Sequence, residues 1–143
     1  MADPLSAIGA ASAIVQLIGG VSSGLKTLHN AVVSIKDAQK TVKRLEDKIL
    51  HLGQCFKILE KYFQQRPPEI PFEKQLYELI QEIATSCTPP LKILKAKTPT
   101  HLSKKNVVAA FELWINDSAI TQANNQIDES IPYLNLLIQT LNL

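Results

Sequence analysis

The stretch IKDAQKTVKRLEDKILHLGQCFKILEKYF, residues 35–63, has an apolar residue at every third or fourth position. These residues are Ile35, Ala38, Val42, Leu45, Ile49, Leu52, Phe56, Leu59 and Phe63. Charged residues fall mostly between them, so the spacing predicts one long amphipathic helix over about 34–66, ended by Pro67-Pro68. The pattern fits a two-stranded coiled coil as well as one member of an intramolecular bundle, and the helices predicted elsewhere favour the bundle.

The residues before this helix predict a hydrophobic N-terminal helix. Asp3 can cap a helix start, and Pro4 suits the first helical position. Gly19-Gly20 predicts a stop, with Val21 to about Val33 as a second helical piece. Two short helices and one interrupted helix are both compatible with this pattern.

Residues after the long helix continue the helical spacing. A helix is predicted from Phe72 to Cys87, interrupted at Pro89-Pro90 and then resumed as a kinked continuation. Residues 95–105 predict a basic loop, and residues 107–115 a short apolar segment. Asn116-Asp117-Ser118 offers caps for a last helix, whose stripe is Ile120, Ile127, Ile131, Leu134, Ile138 and Leu141.

The fold class predicted from these elements is all-α, a bundle of four to six helices. Pro132 predicts a bend in the last helix. No stretch alternates with a period of two, which a half-buried strand requires. The length of 143 residues suits a single domain over 1–143 that buries a core without metals or disulfides.

Charge is unevenly distributed along the chain. Residues 1–105 contain all 15 Lys and Arg with nine acidic residues, a net charge of +6. Residues 106–143 contain four acidic residues and no Lys or Arg, a net charge of −4. Two interpretations follow: electrostatic complementarity between packed elements, or a basic face directed at an anionic surface.

The sequence offers no pattern typical of catalysis, metal binding or a cofactor. His29, His51 and His101 are far apart, and Cys55 and Cys87 lie 32 positions apart, which predicts buried thiols. Nucleotide-binding, hydrolase and metalloprotease motifs are absent from the sequence. Nucleic acid is not an expected partner, because the basic residues are mostly Lys and are not interleaved with aromatic residues. The start lacks a secretory signal, which favours a cytosolic protein.

The opening segment, residues 1–25, is the main functional candidate. Between Asp3 and Lys26 lie 22 uncharged residues. As a helix they would be about 33 Å long, which matches the roughly 30 Å hydrocarbon core of a bilayer. Their apolar side chains give only about −2 to −5 kcal/mol for insertion, because Ser, Gly and Gln dilute them. The apolar side chains are Leu5, Ile8, Ile14, Val15, Leu17, Ile18, Val21 and Leu25.

Small residues three to four positions apart add a second signal in the same segment. Gly9 with Ala13, and Gly20 with Gly24, would let two helices approach closely. The same residues serve a core helix that nests among larger neighbours. Three hypotheses therefore stay open: constitutive core packing, conditional membrane insertion and a permanent transmembrane anchor.

The opening MADPLSAIGAASAIVQLIGGVSSGL, the long heptad helix and the closing pattern FELWIND…IDESIPYLNLLIQTLNL together carry a resemblance. In these parts the chain resembles the N-terminal HeLo-like domain of fungal STAND receptors of the NACHT type, a family of cell-death domains. The resemblance covers essentially the whole chain. It implies a helical bundle that is cytoplasmic at rest and reaches the plasma membrane on activation, in fungal incompatibility or innate immunity.

The resemblance also implies a mechanism. A sensor domain, which this chain does not contain, would trigger self-association, and the released segment Leu5 to Leu25 would form pores in or permeabilise the membrane. We expect Lys92, Lys95, Lys97, Lys104 and Lys105 to attract anionic lipid. The alternative hypothesis is a non-lytic helical adaptor that binds other protein helices through the 35–63 stripe or the Ile120–Leu141 stripe.

Overall fold

The computed structural model describes residues 4–65, 71–99 and 105–141, with side chains from residue 7 in the first range and from residue 74 in the second. It contains five helices: α1 (Pro4–Ala31), α2 (Lys36–Gln65), α3 (Pro71–Lys97), α4 (Val107–Ile115) and α5 (Ser118–Thr140). No strand occurs in these three ranges. The all-α prediction is confirmed.

The four long helices form a bundle whose directions follow from specific contacts. Ser12 hydrogen-bonds Glu60 and His29 lies near Glu46, so α1 and α2 are antiparallel. Lys97 bonds Asp117 where α3 ends and α5 begins, which makes these two helices antiparallel as well. α1 packs against both α2 and α3, and α5 packs against α3 and α2. Buried apolar side chains from all five helices make one core.

Helix α2 confirms the heptad prediction closely. It spans Lys36–Gln65, and eight of its nine predicted stripe positions are buried, with Ile35 partly buried just before its start. The buried stripe faces α1 within the same chain, where Ile18 packs onto Gly53. This satisfies the stripe inside the bundle, as the intramolecular interpretation requires.

Helix α1 is continuous, and the predicted stop at Gly19-Gly20 is wrong. Each Gly in a helix interior costs about 1 kcal/mol relative to Ala. Ile18 and Val21, on either side of the pair, are both buried in the core. Each such side chain contributes about 1.5–3 kcal/mol, so core packing outweighs the local preference of the glycines.

Helices α3 and α5 also run through their prolines. Pro89-Pro90 lies inside Pro71–Lys97, and Pro132 lies inside Ser118–Thr140. A proline removes one backbone donor, and the buried stripes on both sides hold the helix together. The predicted basic loop over 95–105 begins too early, because α3 includes Lys95 and Lys97.

The junction between α4 and α5 follows the predicted cap. The Asp117 side chain accepts hydrogen bonds from the backbone N–H groups of Ala119 at 2.8 Å and Ile120 at 3.3 Å. These donors have no partner within the helix, so the cap stabilises the start of α5. The prediction at Asn116-Asp117-Ser118 is confirmed.

Candidate membrane-active helix and its surroundings

One side of α1 supplies much of the core. Ile14, Ile18, Val21 and Leu25 from the predicted inserting set are almost fully buried. Ile8, Val15 and Leu17 are partly buried at the edges of this stripe. The side chain of Leu5 lies outside the described residues. The four buried members of the predicted set therefore belong to the core that α1 forms with α2 and α3.

The opposite side of α1 is exposed to water but carries no charge before Lys26. Its exposed residues are Gly9, Ala13, Gln16, Gly19 and Ser23. An added Cβ on Gly9 or Gly19 would have no described atom within 4 Å, apart from the helix's own nearby backbone. Gly9 and Ala13 are thus exposed and make no close contact with another described helix, although their spacing suggested one.

Gly20 and Gly24 do lie at a helix contact, with the end of α3. An added Cβ on Gly20 would stand 3.2 Å from Cε of Lys95, and one on Gly24 would stand 3.3 Å from Cγ2 of Thr98. A third close contact was missed by the sequence analysis. On Gly53 of α2, a Cβ would stand 3.0 Å from Cγ2 of Ile18. The importance of Gly53 follows only from its contact with Ile18, which is distant in the sequence.

Hydrogen bonds and ion pairs contribute less to the attachment of α1 than apolar contacts do. The Ser12 hydroxyl donates to Glu60 of α2. Nδ1 of His29 is 3.9 Å from Oε2 of Glu46, too far for a hydrogen bond. The hydroxyl of Ser22 is buried without a partner in the described part of the chain. Burial of apolar surface thus accounts for most of the attachment of α1.

Three of the five predicted lipid-contacting lysines lie in the last turns of α3. Lys92, Lys95 and Lys97 are exposed on α3, Lys105 is exposed just before α4, and Lys104 lies outside the described residues. Lys97 donates to Asp117 at 2.9 Å. This hydrogen bond holds the pKa of Asp117 below its usual value, assisted by the two backbone donors, although burial opposes the effect. Lys97 is therefore already paired.

The start of α2 adds cations that the sequence analysis did not include among the predicted lipid contacts. Because α1 and α2 are antiparallel, this start lies at the same end of the bundle as the end of α3. Lys43 bonds Asp47 at 3.2 Å, which raises the pKa of Lys43. Five cations of α2 and α3 near this end have no acidic partner among the described residues: Lys36, Lys40, Arg44, Lys92 and Lys95. We call this region the basic end.

Helix α4 contributes exposed apolar side chains beside the basic end. Leu113 is 76% exposed and Val108 is 53% exposed. Phe111 and Trp114, on the other side of the helix, are buried against the bundle. One acidic residue, Glu112, is exposed with Leu113 and Val108. Asp37 is exposed in the first turn of α2 as well, so the basic end is a surface of cations and apolar side chains with two carboxylates among them.

Chemically reactive groups do not converge in the described part of the chain. No group of three or more His, Cys, Asp or Glu side chains there could hold a metal ion. Cys55 and Cys87 are buried free thiols, as expected, and burial raises the pKa of each. A raised pKa lowers the thiolate fraction and makes both thiols poor nucleophiles.

Comparison with known proteins adds no family: no family model, curated protein or solved structure matches this chain. Within the described residues, one helix over Ala7–Ala31 is long and apolar enough to cross a bilayer by length and composition. Core helices of water-soluble proteins pass the same criterion. Length and composition therefore do not distinguish a core helix from a membrane-active one, whereas the residues on the exposed side of α1 can.

Proposed function

We propose that this domain is a non-enzymatic, membrane-targeting effector of cell death that permeabilises the plasma membrane after self-association and rests in the cytoplasm before it. The observation that carries the proposal is the composition of the exposed side of α1. Gly9, Ala13, Gln16, Gly19 and Ser23 face water without a single charge. A helix with this exposed side can move into lipid without burying an ion, which is the main energetic barrier to insertion.

The energies favour a resting state in which α1 stays in the bundle. Exposing Ile14, Ile18, Val21 and Leu25 to water would cost about 6–12 kcal/mol. Insertion into a bilayer would return only about 2–5 kcal/mol. The difference, about 1–10 kcal/mol, is a large fraction of the total stability of a small domain, about 5–15 kcal/mol. Self-association must supply it, so insertion depends on activation.

The basic end is the surface that we propose for the first contact with lipid. Each Lys or Arg near an anionic membrane contributes about 1 kcal/mol, and salt screens this attraction. Val21 and Leu25 lie in the half of α1 that is nearest to this end. The start of α1 lies about 42 Å from the end of the same helix, since α1 has 28 residues at about 1.5 Å each, and about 24 Å from Gly20, which Lys95 contacts. Insertion therefore requires α1 to separate from α2 and α3.

The test uses charges on the exposed side of α1. The double variant Ala13→Lys, Gln16→Lys should fold normally, because both residues are exposed. In a bilayer centre, the two lysines would cost about 5–7 kcal/mol together, at about 2.5–3.5 kcal/mol each. We expect a domain clustered through a fused inducible oligomerisation module to release dye from phosphatidylserine vesicles at low salt, and the double variant to release little.

The matched control is Gln54→Lys, on the exposed side of α2. It adds a charge to a helix that remains in water in the proposed mechanism, so dye release should match the unmodified domain. Equal release by the α1 double variant would exclude insertion of α1. A clustered, unmodified domain that neither binds nor permeabilises these vesicles would favour the non-lytic adaptor.

A further inference from the structure

An apolar groove runs between α3 and α5, on a part of the bundle away from the basic end. It encloses about 590 Å³. The residues that line it are Leu76, Leu79, Glu82, Ile83, Ser86, Gln126, Glu129, Ser130, Tyr133, Leu136, Leu137 and Thr140. Leu76, Ile83 and Leu137 are buried and form its floor.

Large apolar side chains along this groove remain exposed in the folded domain. Tyr133 is 67% exposed, Leu136 is 61% exposed and Leu79 is 42% exposed. None of them belongs to the buried stripe of its helix, so the bundle does not need them for its core. Adjacent exposed apolar side chains of this kind are typical of protein interaction sites, and tyrosine is enriched there.

The charges on the groove select the kind of partner. Its two charged lining residues are Glu82 on α3 and Glu129 on α5, one on each wall. Both are exposed, and neither has an ion pair with a described residue. Anionic lipid would be repelled by these carboxylates. A peptide with cationic residues at both edges would be attracted to both walls.

The length of the groove selects the shape of the partner. The lining residues extend from 76 to 86 on α3 and from 126 to 140 on α5. At 1.5 Å per residue these walls are about 15 and 21 Å long, which fits three to four helical turns. An amphipathic helix places apolar side chains at i, i+3, i+4 and i+7 along one face, and it can lie in such a groove.

We propose that the α3–α5 groove binds a basic amphipathic helix of a partner protein, with its apolar face on Leu79, Tyr133 and Leu136 and its cationic edges on Glu82 and Glu129. This binding is independent of membrane permeabilisation. A partner held there would leave the basic end and α1 uncovered. The groove is therefore a place where another protein can recruit the domain.

The test measures binding of a fluorescent synthetic helix to the whole chain. The probe is a peptide of about 14 residues with Leu on one face and Lys at both edges of that face. We expect saturable binding, weakened about tenfold or more by Leu136→Glu. Leu113→Glu, at an exposed position of α4 outside the groove, is the matched control and should bind the peptide normally. A peptide that binds both variants equally, or does not bind the unmodified chain, would overturn the proposal.

Charge reversal tests the role of the two carboxylates. The double variant Glu82→Lys, Glu129→Lys should lose the Lys peptide and gain a peptide in which Glu replaces each Lys. If the unmodified chain binds both peptides equally, the proposed charge selection is wrong. If the chain alone sediments as an oligomer that Leu136→Glu disrupts, a second copy occupies the groove and the partner proposal fails. The α1 lysine variant should bind the peptide normally, which separates this result from the leakage test.

Discussion

Helices α1 and α2 have nearly the same length, 28 and 30 residues, and pack against each other in opposite directions. Both bury an apolar residue at every third or fourth position. Their exposed sides differ. α2 presents Lys43, Asp47, Lys57 and Lys61 to water, whereas the corresponding side of α1 presents Gly, Ala, Gln and Ser until Lys26.

The difference shows that the exposed side of a helix, and not only its buried stripe, decides whether the helix can also enter a bilayer. Each Lys or Asp on the outer side of α2 would cost about 2.5–3.5 kcal/mol at the centre of a bilayer. These charges confine α2 to water. The exposed side of α1 imposes no such cost, so α1 alone combines a core position with compatibility with lipid.

The largest expected change in the free energy of unfolding comes from core substitutions, which test whether α1 and α2 contribute equally to the core. Leu25 of α1 and Leu52 of α2 are both fully buried. Leu25→Ala and Leu52→Ala should each lower the free energy of unfolding by about 2–5 kcal/mol, because each leaves a cavity. Urea denaturation followed by circular dichroism measures both values.

The control for these cavity variants is Leu113→Ala, at an exposed position on α4. We expect it to change the free energy of unfolding by less than about 0.5 kcal/mol. A cost below about 1 kcal/mol for Leu25→Ala, beside a full cost for Leu52→Ala, would mean that α1 is weakly held even at rest.

A second comparison uses one glycine from each helix. An added Cβ at Gly53 would stand 3.0 Å from Cγ2 of buried Ile18, whereas one at Gly19 would have no described atom nearby outside its own helix. Gly53→Ala should therefore destabilise the domain by about 1–3 kcal/mol through overpacking. Gly19→Ala should stabilise it by about 0.5–1 kcal/mol, because alanine favours a helix. Thermal denaturation of the two variants should shift in opposite directions.

Much of the bundle was predictable because the relevant patterns are local. The stripe of α2 and the Asp117 cap each depend on a few neighbouring residues. The continuity of α1 through Gly19-Gly20 was not predictable in this way, because local preference opposes it. Packing against α2 and α3 decides that point, and residues distant in the sequence supply those contacts.

The two surfaces with proposed functions depend even more on distant contacts. Lys36 and Lys95 share the basic end only because α1 places the start of α2 beside the end of α3. The adaptor hypothesis placed a binding surface on the 35–63 or Ile120–Leu141 stripe. Most of the first stripe and half of the second are buried, and the remaining residues are partly buried against the core. The exposed groove instead uses Tyr133 and Leu136, which lie outside the stripe.

A smaller change in the free energy of unfolding is expected from the side-chain hydrogen bonds that α2 makes to α5 and that α1 mostly lacks. Lys48 of α2 donates to Asp128 at 2.6 Å and to Asn124 at 2.5 Å, both on α5. Lys48→Ala should lower the free energy of unfolding by about 0.5–1.5 kcal/mol, since these groups are partly exposed. Lys61→Ala, at an exposed position of α2, should change it very little. Equal effects in urea denaturation would show that the link between α2 and α5 contributes nothing.

The smallest effect is a pH dependence at the joint between α3 and α5. The pKa of Asp117 is lowered in the folded domain by the hydrogen bond from Lys97 and by its two backbone donors. A lowered pKa means that the ionised carboxylate stabilises the fold at neutral pH, and that this stabilisation is lost as the pH falls below about 4. Asp117→Asn should have a lower melting temperature than the unmodified domain at pH 7, and its melting temperature should fall less between pH 7 and pH 3. In Glu112→Gln the melting temperature should depend on pH as it does in the unmodified domain.

Acid should therefore loosen the start of α5 before it loosens α1. The described part of α1 contains no carboxylate, and its buried stripe is apolar. The titratable groups at its contacts are its own His29 and the Glu46 and Glu60 side chains of α2, at the edge of that stripe. Hydrogen exchange at pH 3 and 7 can compare the two regions, with residues 118–122 losing protection first. If α1 lost protection first, a titrating group would control its attachment, and low pH alone could release it. The observed contacts predict the opposite, since apolar packing holds α1 and only self-association is proposed to separate it from the bundle.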